Sequence, residues 1–256
     1  MSLLPSQTPS VVPFALNKYM NIYSLAVSNS ATAPDTEVEV GTGICRDSTD
    51  VYDMINAAAV TIDGAVNGLN GLDTGSLGVS KVYYVHLVSD PVHGNTTGAM
   101  LSLSATAPVM PNNYSAFRVI GYMMTDSSSD LLLCYNSGNE NARVFTYDAP
   151  ISVGSTAAAA SYADIDLSAF VPAVDNLEVS IAYAYSANAA SDAFELKGAN
   201  AVGDAVTIYN PVASKLVGGN VDVLAQIKTA LPQISYKTPA VVTSLTLKVA
   251  GFKYYL

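Results

Sequence analysis

The stretch SLTLKVAGFKYYL, residues 244–256, sets Leu245, Leu247 and Val249 against Thr246 and Lys248 before it runs into an aromatic end. Successive side chains of a strand point to opposite faces, so this alternation predicts a strand with one face in a core and the other in water. Its aromatic end is expected to hold the C-terminus within a sheet. Runs of the same kind recur along the chain. In the first half they are NIYSLAVS (21–28), DTEVEVGTG (35–43), AAAVTIDGAV (57–66), KVYYVHLVS (81–89), AMLSLSA (99–105), SAFRVIGYMMTD (115–126), DLLLCYN (130–136) and NARVFTYD (141–148). In the second half they are NLEVSIAYAYS (176–186), DAFELKG (192–198), AVTIYN (205–210), VDVLAQI (221–227) and QISYKT (233–238). Gly, Asn, Asp, Ser or Pro separates the runs at the spacing of sandwiches and barrels. The predicted class is all-β.

Composition agrees. Of 256 residues, 50% are apolar and only 12% charged, with 16 Tyr, 6 Phe and no Trp. Small, β-branched and Tyr residues suit strands, and the shortage of Lys, Glu and Arg leaves few formers of surface helices. One short helix is predicted within STDVYDMINAAA (48–59), capped by Ser48 or Thr49. The low-charge stretch from Tyr147 to Ala173 reads as a connection ending in a turn, which places a boundary near residue 150. The expected organisation is therefore an extended arm over 1–20, a β-sandwich or barrel over 21–150, and a jelly-roll-like β-sandwich over 151–256. Pro5, Pro9 and Pro13 carry the expectation of an arm, because proline removes backbone donors and disfavours helix.

The formal charge is −10, with 11 basic residues scattered along the chain. Neutralising phosphates takes clustered cations, so direct nucleic-acid binding is not expected. A mean hydropathy of +0.30 with so few charges suits a chain that hides apolar surface in a permanent oligomer. No run of 18 apolar residues marks a membrane span, and residues 1–20 lack the basic start of a secretory signal. Synthesis in a cytoplasm is expected. Cys45 and Cys134 form no CxxC pair, leaving open both a bridge and a reduced buried pair.

Asp73-Thr74-Gly75 is the triplet that carries the catalytic carboxylate of aspartic proteases, and Val119-Ile120-Gly121 matches the apolar-apolar-Gly segment placed behind it. Such enzymes need two carboxylates sharing a proton, so one triplet requires a homodimer. Here Gly68 and Gly71 interrupt any strand before Asp73, and Asp-Thr-Gly is ordinary turn chemistry. The triplet is read as a turn. Asp47, Asp50 and Asp53 offer oxygens at a spacing of three, without the Gly and bidentate Glu of a calcium loop, and read as capping residues. His86 and His93, with Asp90 between them, would ligate a metal only if their loop folded back. Asn95-Thr96-Thr97 and Asn113-Tyr114-Ser115 match glycosylation sequons, which matter only on a secretory route. No G-x-S-x-G elbow, phosphate loop or dinucleotide fingerprint occurs. No catalytic, cofactor-binding or metal-binding residue is assigned.

One long segment carries a resemblance. CRDST (45–49), NGLDTG (70–75) before a Tyr-rich strand, and the series Pro108, Pro111, Tyr114, Arg118, Ile120 and Gly121 occur in order within residues 41–126. This pattern resembles a module of structural proteins of double-stranded DNA bacteriophages, in fibres, spikes and decoration proteins. The resemblance attaches no catalytic role to these residues. It implies a non-enzymatic virion protein, a capsid, decoration, spike or tail-fibre subunit, made in the host cytoplasm and assembled into the particle. Its implied partners are copies of itself, a trimer being the expectation, and other virion proteins. Two rival readings stand beside it: a module gripping a host-surface glycan through loops or exposed Tyr, and a dimeric protease using Asp73.

Overall fold

A computed structural model describes residues 22–94, 96–138, 142–153, 158–203, 205–239 and 242–255; the expected arm over 1–20 lies outside them. Among the described residues there is no helix, so none is long and apolar enough to cross a membrane. In chain order the strands begin with β1 (Ile22–Ser24), β2 (Val27–Asn29), β3 (Glu37–Val40), β4 (Gly43–Arg46), β5 (Asp53–Asn56) and β6 (Val60–Asp63). Next come β7 (Val82–Asp90), β8 (Thr96–Ser102), β9 (Ala116–Met124), β10 (Cys134–Gly138), β11 (Arg143–Ser152) and β12 (Ala163–Asp166). The last are β13 (Leu177–Ala187), β14 (Ala193–Gly198), β15 (Val206–Tyr209), β16 (Val217–Lys228), β17 (Leu231–Lys237) and β18 (Val242–Tyr254). They form two three-stranded sheets, β1-β4-β5 and β8-β7-β9, and one long sheet, β15-β14-β17-β16-β13-β18-β11-β10-β2-β3-β6, with β12 added along β17. Named strands pair antiparallel throughout, as the all-β reading of the sequence requires.

Strand β18 organises the long sheet, lying between β11 and β13. Leu245, Leu247 and Val249 are buried while Thr246 and Lys248 are exposed, as the alternation predicts. The phase then changes. Ser180 pairs with Gly251 and Ile181 with Val249, so Ala250 is an extra, bulged residue. A one-residue insertion turns the following side chains over, and Phe252 and Tyr254 enter the core with Lys253 outward. Phe252 stacks on Phe145 at 4.8 Å and meets Tyr122 of β9 edge-on at 5.8 Å, joining the β8-β7-β9 sheet to the long one. At the other end, Phe194 of β14 touches Tyr183 and Tyr185 of β13 although β17 and β16 separate these strands in the sheet. The sheet therefore curls back on itself. The residue-150 boundary expected from the sequence falls within β11.

The expected helix at 48–59 is absent, and the reason is local. The Asp47 carboxylate accepts hydrogen bonds from the amides of Thr49, Val51 and Tyr52 at 3.2, 2.7 and 2.8 Å. Asp50 has a positive φ of 57°, which a helix does not accommodate. Residues 53–56 then pair with β4 instead of coiling. Short polar side chains here satisfied nearby amides and competed with helix, as they do at turns. Strand β12 likewise arises inside the predicted connection, where β17 offers it an open edge.

Arg143, at the start of β11, is buried and donates to the carbonyls of Leu25 at 2.9 Å, Ile120 at 3.0 Å and Ser24. Ser24 and Leu25 both have positive φ, 62° and 58°, at the bend where the chain leaves β1 for β2 and so changes sheet. Replacing Arg143 with Met should lower stability by about 3 kcal/mol, because two buried carbonyls and one part-buried carbonyl lose a charged donor; a fall in urea midpoint at unchanged slope is the readout. A smaller change of opposite sign is expected in the β16–β17 hairpin, where Thr229 and Ala230 both hold positive φ, 51° and 67°. Ala230→Gly should raise stability by about 1 kcal/mol in the same assay by relieving that backbone.

Candidate functional site

Asp73 sits in a bend beside β8, with Gly75 at φ 79°. Its amide donates to Leu101 at 2.8 Å, and one carboxylate oxygen accepts from the Ser102 hydroxyl at 2.7 Å and the Val109 amide at 3.1 Å. The carboxylate thus ties the end of β8 to the segment carrying Pro108. Val119-Ile120-Gly121 lies in β9 against His86 and Val85, with the Ile120 carbonyl held by Arg143.

The other sequence candidates are also dispersed. His86 is fully buried on β7, where its Nε2 lies 2.9 Å from the Ser104 carbonyl and must carry the proton. Its ring meets Phe117 edge-on at 5.6 Å, and burial lowers its pKa, so it stays neutral. His93 instead pairs through Nδ1 with Asp90 at 3.0 Å, and Asp90 also accepts the amides of Val92 and His93. Asp53 pairs with Arg46 at 3.3 Å and Asp50 lies 3.9 Å from Arg118, while Asp47 holds its own loop. Among the described residues no group of three or more His, Cys, Asp or Glu is placed to hold a metal ion. Cys45 and Cys134 are free and buried, and burial pushes both thiols up to about 12. Such thiols are poor nucleophiles at neutral pH.

The concavity that brings polar groups together lies elsewhere, on the outward face of the long sheet at the Ala250 bulge. It is a groove of about 320 Å³ over β11, β18, β13 and β16. Ser180, Ala250 and Gly251 form its low middle, and Thr146, Val144, Glu178, Lys253, Asn220 and Asp222 stand around it. Phe145 and Phe252 turn their rings into the core, so they present backbone to the groove. Gly251 is required here: a Cβ would lie 2.2 Å from the Phe145 carbonyl oxygen. Lys253 lies 3.7 Å from Glu178 and 5.6 Å from the centre of the exposed Tyr255 ring.

No protein-family model and no curated protein sequence matches the chain, so the site is read from its own geometry. Glu178, Asp222 and Lys253 fall within runs that the sequence marks as strands and carry no role there, and Asn220 lies just before one of those runs. Register between β13, β18 and β16 is what assembles them. The available signal was faint: isolated carboxylates and an amide standing among Gly, Ala, Ser and Val.

Asp47 supplies a pH test of this half of the molecule. Burial acts to raise its pKa, but hydrogen bonds from the Thr49 hydroxyl and the amides of Tyr52, Val51 and Thr49 outweigh it and hold the group below 3.8. The folded state therefore binds this proton less readily than the unfolded state. The stability Asp47 contributes is complete above that value and is lost as the pH falls below it through the folded pKa. Asp47→Ala should cost about 2 kcal/mol at pH 7. Denaturant titrations of both proteins should show the gap constant down to pH 5 or so and closing under more acid conditions.

Proposed function

We propose that this chain is a non-enzymatic structural subunit of a virion, a spike, fibre, decoration or capsid protein of the kind that residues 41–126 resemble. It acts by assembling, as a trimer with copies of itself and with other virion proteins, after synthesis in the host cytoplasm. Two jelly-roll-like sandwiches and an N-terminal arm that docks on a neighbouring subunit belong to the same reading.

One observation carries it. On the outward face of the β1-β4-β5 sheet, Tyr23, Ile44 and Ile55 stand opposite one another in a single cross-strand row. Tyr23 is 54% and Ile55 51% exposed, and Val51 and Tyr52 in the connection from β4 to β5 are exposed as well. The opposite face of the same strands, through Ile22, Cys45 and Met54, is buried in the core. A monomer gains nothing from an apolar row in water, whereas an assembling subunit covers it. Light scattering at several concentrations should give a trimer or larger mass that does not change on dilution. Ile55→Lys should lower that mass while leaving the melting temperature near that of the parent. A wild-type monomer, or absence of the protein from purified particles, would overturn the reading.

A second reading, a module that grips a host-surface glycan, is favoured by the polar groove at the Ala250 bulge, which the assembly reading leaves unused.

A further inference from the structure

We propose that this groove binds a neutral saccharide, with Tyr135 as the platform for the sugar ring and Asp222 and Asn220 as the hydroxyl-binding end. The proposal rests on the glycan reading and gives it a location and a ligand class. Register supplies the geometry. Cross-strand partners share a face, and Tyr135 pairs with Thr146, Thr146 with Gly251, Gly251 with Ser180, and Ser180 with Asp222. These residues form one outward row across β10, β11, β18, β13 and β16. At about 4.8 Å between strands the row is about 19 Å long. Its middle, Thr146, Gly251 and Ser180, carries small side chains. Its ends carry an aromatic ring, 52% exposed, and a carboxylate. The neighbouring row, Val144, Lys253 and Glu178, makes one wall.

The chemistry of this lining selects the ligand. A sugar presents adjacent hydroxyls that both donate and accept, on a ring with an apolar C–H face. Asp222 and Glu178 accept from hydroxyls, the Asn220 amide does both, and Lys253, Ser180 and Thr146 supply donors. An aromatic side chain that is apolar in body and polar at its tip suits the C–H face of a sugar at a wet surface. The groove's volume lies at the lower end of small-molecule sites, and with Tyr135 standing one strand beyond its lining the whole row has the length of a short oligosaccharide, not of a single sugar. Charge favours a neutral ligand over an acidic one. Among the lining residues two carboxylates face one ammonium, already paired with Glu178; Lys248, in the row of Ala182 and Asn220, stands outside that lining, and the chain as a whole carries −10. Phosphorylated, sulfated or carboxylated sugars are therefore repelled both in the groove and on approach.

The test is a glycan array of neutral and acidic saccharides, followed by NMR titration of the best-bound neutral glycan. Wild type, Asp222→Asn and Tyr135→Ala are compared; both altered side chains are exposed, and circular dichroism and light scattering confirm that fold and mass are kept. Neutral glycans should bind in preference to acidic ones, with each variant weakening binding tenfold or more and the wild-type shifts centred on Asn220 and Ser180. If no neutral glycan binds, both this proposal and the glycan reading fall. If one binds and both variants match wild type, the glycan reading survives and the groove assignment falls. Preferential binding of acidic glycans would overturn the ligand class.

Discussion

The guanidinium of Arg143 is the contact on which the arrangement of sheets depends. It projects from β11 of the long sheet and donates to Ile120 in the β8-β7-β9 sheet and to Ser24 and Leu25, where β1 gives way to β2. Each acceptor is a carbonyl that local pairing leaves available. Ile120 is the bulged residue of β9, since Val85 pairs with Gly121 and His86 with Val119. Ser24, the last residue of β1, and Leu25 after it carry positive φ where the chain turns toward β2. Buried carbonyls without donors are costly, so a chain that bends at Leu25 and bulges at Ile120 needs a donor that reaches both. Arginine does this with one planar group whose several N–H donors point in fixed directions. A lysine in its place would offer a point charge without the fork.

That dependence explains what could be read from the sequence. Alternation over residues 244–249 foretold both the strand and its buried face, because burial on one side of a sheet imposes a period of two. KVYYVHLVS likewise became β7, the central strand of its sheet. The pattern failed where pairing partners decide. Residues 53–56 are a strand because β4 lies beside them, and residues 163–166 because β17 does, and neither neighbour is visible in a local window. The Asp73 partners stand 29 and 36 residues away, so what its carboxylate holds was equally hidden. The candidate site was the least legible part. Its side chains come from four strands spread over residues 144–253, and only register makes them neighbours.

The bulge at Ala250 connects the interior with that site. Without the extra residue, the alternation begun at Leu245 would turn Phe252 and Tyr254 to the outside and Lys253 to the core. The aromatic cluster against β9 would then be lost, and an ammonium group would be buried without compensation. With it, the same few residues bury two rings on one face and leave a depression on the other. Gly251 permits this, because the strands approach too closely there for any side chain. Core packing and groove shape are thus two consequences of one irregularity. A substitution that repaired the alternation would disturb both, whereas changes at the rim, at Tyr135 or Asp222, alter the surface alone. The groove can therefore vary its rim chemistry while its floor stays tied to the core.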